Sequence, residues 1–137
     1  MYHQTYFKKN KFNAVKQTYN GYSYDSKFEA QVAADLDLRV KAGDIKEYDR
    51  QYKVEFFVYR LIESNGEKEY LPYKLGSHKV DFRIHHNDGS FELYEAKGLE
   101  TPDYKKRRKW LEDLWLPEHP DHTYTVVKQK TYYRKSN

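Results

Sequence analysis

The stretch Lys79-Val80-Asp81-Phe82-Arg83-Ile84-His85-His86-Asn87-Asp88-Gly89-Ser90-Phe91-Glu92-Leu93-Tyr94-Glu95-Ala96-Lys97 decides how this chain is read. From Lys79 to His86, Val80, Phe82 and Ile84 alternate with Asp81, Arg83 and His85, the period of two of a strand with one apolar and one polar face. Asn87-Asp88-Gly89 is a turn signal, and a second strand returns over Ser90 to Lys97, where Gly98 ends it. A three-residue loop, built as a type I turn followed by a glycine in the left-handed region, pairs His86 with Ser90. Counting back along both strands sets Asp81 opposite Glu95, and facing residues of an antiparallel pair point to the same side. Lys97, two residues further on, points that way too. A two-residue loop would pair Asp81 with Ala96 instead. The register therefore decides whether two carboxylates and an ammonium meet.

That set suits phosphodiester hydrolysis, which requires a positioned water and neutralisation of the charge that develops on phosphate. Mg²⁺ binds a few carboxylates, keeps several waters and lowers the pKa of one of them. Asp81 and Glu95 are the expected metal ligands, with the backbone carbonyl of Ala96 as a third. Lys97 is the expected group to hold the attacking water or to stabilise phosphate charge. A lysine beside paired acids also balances their repulsion. The bland reading of the same residues is a surface ion pair on a solvated sheet face, worth under ~1 kcal/mol.

Upstream, a helix is expected from Asp25 or Ser26 to about Ala42. Ser26 with Glu29 has capping-box spacing, and Gly43 stands where a C-cap glycine belongs. Val32, Ala33, Leu36 and Val40 form its apolar stripe, and Glu29 lies at the N-terminal end of that stripe. A carboxylate there is costly to bury without a partner, so Glu29 joins the candidate metal site. The capping box competes for the same side chain. Between this helix and the hairpin, a strand is expected over Tyr52 to Leu61, a turn at Asn65-Gly66, and a short strand over Glu69 to Leu75 broken by Pro72.

Downstream, Thr101-Pro102-Asp103 opens a second helix running to Trp115 or Leu116, with Tyr104, Leu111 and Trp115 on one side. It carries Lys105, Lys106, Arg107, Arg108 and Lys109, the strongest basic run in the chain and the expected grip on nucleic-acid phosphates. Five consecutive helical residues span more than one turn, so they cannot all face one ligand. Trp110 and Trp115 read as core or interface anchors. A last strand covers Thr123 to Lys128, and the basic tail beyond shows no regular period. Helix, strands, helix, strand is an α/β or α+β order around one mixed sheet.

The whole chain has 137 residues, enough for one domain, with a formal net charge of +4 and a mean hydropathy of −1.13. An aromatic fraction of 18%, including 15 tyrosines, argues for a folded domain with a wet, tyrosine-rich surface. The absence of cysteine excludes disulfides, thiolate–zinc sites and cysteine nucleophiles. No apolar run approaches the ~20 residues of a membrane span, and no signal-peptide pattern opens the chain, so a cytoplasmic location is expected. The six histidines lack zinc spacing, and His85 reads as an ordinary surface residue beside Asp81. Residues 1–24, with Lys8, Lys9, Lys11 and Lys16 among Tyr2, Tyr6, Phe7, Phe12 and Tyr19, read as a basic, tyrosine-rich arm ahead of a domain over 25–137.

An acid in the first helix followed by Val80-Asp81 and Glu95-Ala96-Lys97 resembles the PD-(D/E)XK nuclease superfamily. The segments Tyr24-Asp25-Ser26-Lys27-Phe28-Glu29-Ala30, Ala42-Gly43-Asp44-Ile45, Val80-Asp81-Phe82 and Glu95-Ala96-Lys97-Gly98 are similar to a small phage-encoded branch of it. The resemblance covers about residues 22 to 128. It implies a restriction-endonuclease-like mixed sheet flanked by helices, Mg²⁺ dependence with Mn²⁺ as substitute, and cleavage of DNA. Asp81 and Glu95 then match the metal-binding acids, Lys97 the catalytic lysine and Glu29 the helix acid, while Gln51 matches a glutamine of related branches. The proline that names the motif is absent, with Val80 before Asp81. Similarity in size and motif order to phage endonuclease I implies branched DNA as a substrate, and because one such site cleaves one strand, cutting two strands or both arms of a junction calls for a homodimer. The rival expectation is a DNA-binding module on a nuclease-like scaffold, without cleavage.

Overall fold

The computed structural model describes residues 17–135. In chain order they form β1 (Gln17–Tyr19), β2 (Tyr22–Tyr24), α1 (Lys27–Lys41), β3 (Glu47–Ser64), β4 (Glu67–His85), β5 (Phe91–Lys97), α2 (Pro102–Trp110), β6 (His122–Lys128) and α3 (Gln129–Lys135). A π-helical turn, Leu111–Trp115, and a 3₁₀ turn, Leu116–Glu118, prolong α2. The fold is mixed α and β: a two-stranded sheet, a four-stranded sheet in the order β3-β4-β5-β6, and three α-helices.

The deciding hairpin forms in the register its loop implies. His86 N–H donates to the Ser90 carbonyl at 2.9 Å, and Gly89 N–H donates to the His86 carbonyl at 3.1 Å. Gly89 takes a φ of +88°, which costs a glycine nothing. Asp88 Oδ1 accepts from both the backbone N–H and the hydroxyl of Ser90 and locks the turn. The ladder runs from His85↔Phe91 to Phe82↔Tyr94. It ends one pair short of Asp81 and Glu95.

The chain returns through α2 to lay β6 parallel to β5, from Phe91↔His122 to Lys97↔Lys128. Parallel neighbours need such a crossover. The helix that provides it starts on Thr101, whose hydroxyl accepts from Tyr104 N–H at 3.1 Å, with Pro102 in the first turn. Helix α1 starts on Ser26 in the same manner, its hydroxyl accepting from Glu29 N–H. Each helix covers one face of the sheet. Phe28, Val32, Ala33 and Leu36 of α1 pack on Phe82 and Ile84, with Tyr94 and Ala96 beside them. Leu111, with Trp110, Leu114 and Trp115, packs on Val54, Phe56, Val80 and Leu93. The two tryptophans, expected to be core or interface anchors, are partly buried and pack against this cluster.

Three expectations are corrected. The strand expected over Tyr52 to Leu61 and the two expected before His86 are two long partners, β3 and β4, paired from Glu47↔His85 to Ser64↔Glu67 with a bulge at Phe56/Phe57. Pro72 does not break β4, because β5 does not reach that part of the strand and the missing N–H faces no neighbour. The tail beyond Lys128 is helical: Tyr132 and Tyr133 of α3 stack against Phe28 at 5.3 and 5.8 Å. In the arm expected over 1–24, residues 17–24 form the β1–β2 hairpin around Asn20-Gly21, both at positive φ, and Tyr24 is buried in the core. The remainder of that arm, with Tyr2, Tyr6, Phe7, Lys8, Lys9, Lys11, Phe12 and Lys16, lies outside the described residues. Among the described residues no helix is long and apolar enough to cross a membrane.

Candidate active site

A kink at Asp81 builds the site. Strands β3 and β4 pair Arg50 with Phe82 and Tyr52 with Val80, leaving Gln51 and Asp81 outside the ladder, and Gln51 takes a φ of +55°. A glutamine in the left-handed region costs about 1 kcal/mol, a strain retained only where surrounding structure imposes it. Across this kink the alternation of faces slips. Val80 enters the core under the α2 extension, whereas Phe82, two residues on, enters the core under α1. Asp81 lies between them, where β4 and β5 part. Its Oδ2 accepts from Ala96 N–H at 2.9 Å.

This changes the expected arrangement. Asp81 does not share a regular polar face with Arg83 and His85. Those two bind Asp49 instead, at 2.8 and 2.7 Å, and His85 also meets Glu47 at 3.3 Å. Glu95 is not the ladder partner of Asp81. It turns into the α2 side of the sheet, where it is completely buried. The acids nonetheless influence one another around the fork: the charge on Asp81 feels both Glu29 and Glu95, and Lys97 acts on all three.

Each acid is held by a different group. Glu29, only 5% exposed, accepts from the Gln51 amide through Oε1 at 3.1 Å. Ser26 forms its half of the capping box with the Glu29 N–H, while the Glu29 carboxylate points elsewhere, eased by the Asp25 backbone. Glu95 faces His78 Nε2 through Oε1 and accepts from the Tyr124 hydroxyl through Oε2 at 2.7 Å. Tyr124 in turn shares a hydrogen bond with the Tyr104 hydroxyl at 2.7 Å. The Lys97 Nζ lies 4.3 Å from the centre of the Tyr104 ring, a cation–π contact that places the ammonium beside this chain of groups.

The electrostatics divide the acids in two. Burial pushes Glu29 up to about 7, with the charge of Asp25 adding to it. Burial likewise holds Asp81 well above the usual carboxylate range, reinforced by Glu29 and Glu95. Glu95 is lowered despite its burial, because His78, Lys97 and Tyr124 favour its charge. The charged forms of Glu29 and Asp81 are therefore disfavoured despite Lys97 nearby, whereas that of Glu95 is favoured by its partners.

The donor set is composed of hard oxygens, the kind Mg²⁺ or Mn²⁺ selects. In their present rotamers, no three His, Asp or Glu side chains among the described residues are gathered closely enough to hold an ion. Glu29, Asp81 and Glu95, with Ala96 beside them, fit such an ion in chemistry and charge. Sequence reasoning named the three acids and Lys97 but not His78, Tyr104 or Tyr124. A histidine pairing across a buried sheet face leaves no local signal in sequence spacing.

The basic run of α2 carries its own counter-charges. Arg107 meets Asp103 at 2.6 Å, Arg108 meets Glu100 at 2.9 Å, and Lys106 and Lys109 lie 3.8 and 3.9 Å from Asp103 and Asp113. Lys105 is exposed. Exposed pairs of this kind hold by under ~1 kcal/mol and exchange readily for phosphate. His119 stacks on Trp115 at 3.7 Å and His122 pairs with Asp121, so these two histidines have structural partners.

Residues 9–134 match a family model described as "Protein of unknown function (DUF1064)", which covers most of the chain, and the chain belongs to that family. No curated protein and no solved structure matches it.

Proposed function

We propose that this member of the DUF1064 family is a Mg²⁺-dependent DNA endonuclease of a phage or mobile element, working in a bacterial cytoplasm. The observation that carries the reading is the mutual electrostatic influence of Glu29, Asp81, Glu95 and Lys97 around the fork between β4 and β5, with two of the acids destabilised in their charged form. Crowded carboxylates with surplus charge are what a divalent cation relieves. A bound Mg²⁺ would supply charge neutralisation and an activated water there. Glu29, Asp81, Glu95 and the Ala96 carbonyl are the groups proposed to hold it.

The protein side of the chemistry follows from the contacts above. Gln51 aims Glu29, the Ala96 N–H steadies Asp81, and His78 with Tyr124 keeps Glu95 charged and oriented. Lys97 supplies the one ammonium felt by all three acids, positioned to stabilise charge on a phosphate at the fork. Helix α2 begins five residues beyond Lys97, so Lys105, Lys106, Arg107, Arg108 and Lys109 are proposed to bind the flanking phosphates. One such site cuts one strand. Cutting a duplex or both arms of a junction calls for two copies, and branched DNA of the Holliday-junction kind is the proposed substrate.

The rival reading, a DNA-binding module that does not cut, draws on the absence of a gathered ligand set and on the basic helix. The full chain is incubated with duplex, single-stranded and four-way-junction DNA, in Mg²⁺ or in EDTA. Cleavage in Mg²⁺ that disappears in Asp81→Asn, with DNA retention unchanged, supports the nuclease. Retention of DNA without metal-dependent cleavage supports the rival.

A further inference from the structure

Beyond the Phe56/Phe57 bulge, β3 and β4 leave the sheet as a two-stranded ribbon of eight cross-strand pairs, from Phe57↔Lys74 to Ser64↔Glu67. At ~3.3 Å per residue it projects roughly 25 Å. Strand β5 pairs with β4 only from Phe82 onward, so no third strand supports the ribbon. Two-stranded ribbons are marginal in water unless something packs on them. Residues 57–75 also hold eight of the twelve exposed large hydrophobic side chains among the described residues, spread over both faces of the ribbon and the bulge at its base. Phe57, Tyr59, Leu61 and Tyr70 share one face, being 40%, 68%, 51% and 69% exposed.

We infer that this ribbon is the surface through which two copies of the chain pair. Charge and pattern each favour a second copy over nucleic acid. Residues 57–75 contain Arg60, Lys68 and Lys74 against Glu63, Glu67 and Glu69, a neutral balance in a chain of net charge +4. A surface that grips phosphates needs a positive excess, which this ribbon lacks. At ~200 Å² for a full aromatic side chain, the four exposed groups on the Phe57 face present roughly 450 Å² per copy, and the cleft beside Phe57 and Tyr59 adds to this toward the ~800 Å² each partner contributes to a standard interface.

The pattern is self-complementary as well. Lys74 meets Glu55 at 3.3 Å at the base of the ribbon, and Glu63 and Lys68 are partners near its tip, with the apolar side chains between. Two ribbons related by a two-fold axis and running antiparallel lay apolar centre on apolar centre, and each end meets charges of both signs. Phe57 and Tyr59 also line a cleft with Leu114, Trp115 and Pro117, which extends the apolar surface toward the domain. Pairing through the ribbon does not depend on nuclease activity, although it would supply the second site that such activity calls for.

Sedimentation equilibrium of the full chain, in EDTA and without DNA, tests it. The expected mass is twice 16.7 kDa at low micromolar concentration. The variant Tyr59→Glu/Tyr70→Glu should fall to the monomer mass while keeping the cooperative thermal unfolding of a folded domain, with a melting temperature that no longer rises with protein concentration. Because the chain has no cysteine, L61C should form a disulfide-linked dimer under mild oxidation, and L38C, on exposed α1 surface, should not. Three outcomes overturn the inference: a monomeric wild type at ~50 µM, a double variant that stays dimeric, or L61C that cross-links no better than L38C. Loss of DNA retention by the double variant at unchanged mass also overturns it and makes the ribbon a nucleic-acid contact. Neither metal nor DNA enters the mass measurement, so a failed cleavage assay and a failed dimer are separate results.

Discussion

The Gln51 side-chain amide donates to Glu29 Oε1 across 3.1 Å, from a backbone held at a φ of +55°. It ties the helix acid to the kink that sets Asp81 between the diverging strands. The strain at Gln51 and the exposure of Asp81 to two other carboxylates arise at one place in the sheet. Gln51→Gly separates the two effects. Glycine relieves the left-handed backbone, so stability should hold or rise by up to ~1 kcal/mol. Loss of the amide should release Glu29 and lower metal-dependent cleavage about tenfold. Denaturant unfolding and cleavage rates on the same preparation check both signs.

Glu29 predicts how stability varies with pH in the metal-free protein. Its folded-state pKa is pushed up to about 7 from an ordinary 4.5. The folded chain therefore binds this proton more tightly than the unfolded chain does. Stability is full below about pH 4.5 and falls as pH rises toward about 7, by up to roughly 3 kcal/mol from this group. Glu29→Gln should remove that decline and be more stable than wild type at pH 8 in EDTA. Millimolar Mg²⁺ should recover stability in wild type and leave Glu29→Gln largely unmoved, read as the urea midpoint against pH.

Glu95 behaves in the opposite sense. Its pKa is lowered, so its contribution is present above the ordinary carboxylate range and is lost as pH falls through the folded value. His78→Ala leaves a buried charge with one partner fewer and should cost about 3–5 kcal/mol at pH 7. Tyr124→Phe removes one hydrogen bond to a charged acceptor and should cost about 1.5–3 kcal/mol. Urea titrations of the two variants rank them. Equal costs would contradict the assignment of His78 as the principal partner.

The basic face of α2 should act on DNA and not on folding. Lys105→Ala/Lys109→Ala removes two exposed charges. Stability should change by less than ~0.5 kcal/mol, while the slope of log affinity against log salt should fall by about two. Fluorescence anisotropy over a salt series measures that slope. An unchanged slope would place the phosphate contacts elsewhere.

Much of this architecture was legible because it is local. The Asn87-Asp88-Gly89 loop determines the hairpin register, Ser26 and Thr101 start their helices, and the stripe Val32, Ala33, Leu36 and Val40 lies against the sheet. What escaped depends on distant partners. Period-two counting puts Asp81 and Glu95 on a common face, but the kink at Gln51 is imposed by tertiary context and carries no spacing signal. Burial of Glu95 against His78 and Tyr124 joins three separate strands. The α3 helix has too few turns to show a period, and Asn20-Gly21, which forms a hairpin turn, reads in isolation as a break. Glu29, Asp81, Glu95 and Lys97 act on one another electrostatically around the fork, but not through the shared face their alternation implied.

A crystal of the full chain soaked in Mn²⁺ tests the central claim most directly, by anomalous difference density. The account predicts a peak at the fork between β4 and β5, bound by Asp81 together with Glu29 or Glu95, and its disappearance in Asp81→Asn. Density elsewhere, or none at the fork at millimolar Mn²⁺, would contradict the assignment of these acids to a metal centre.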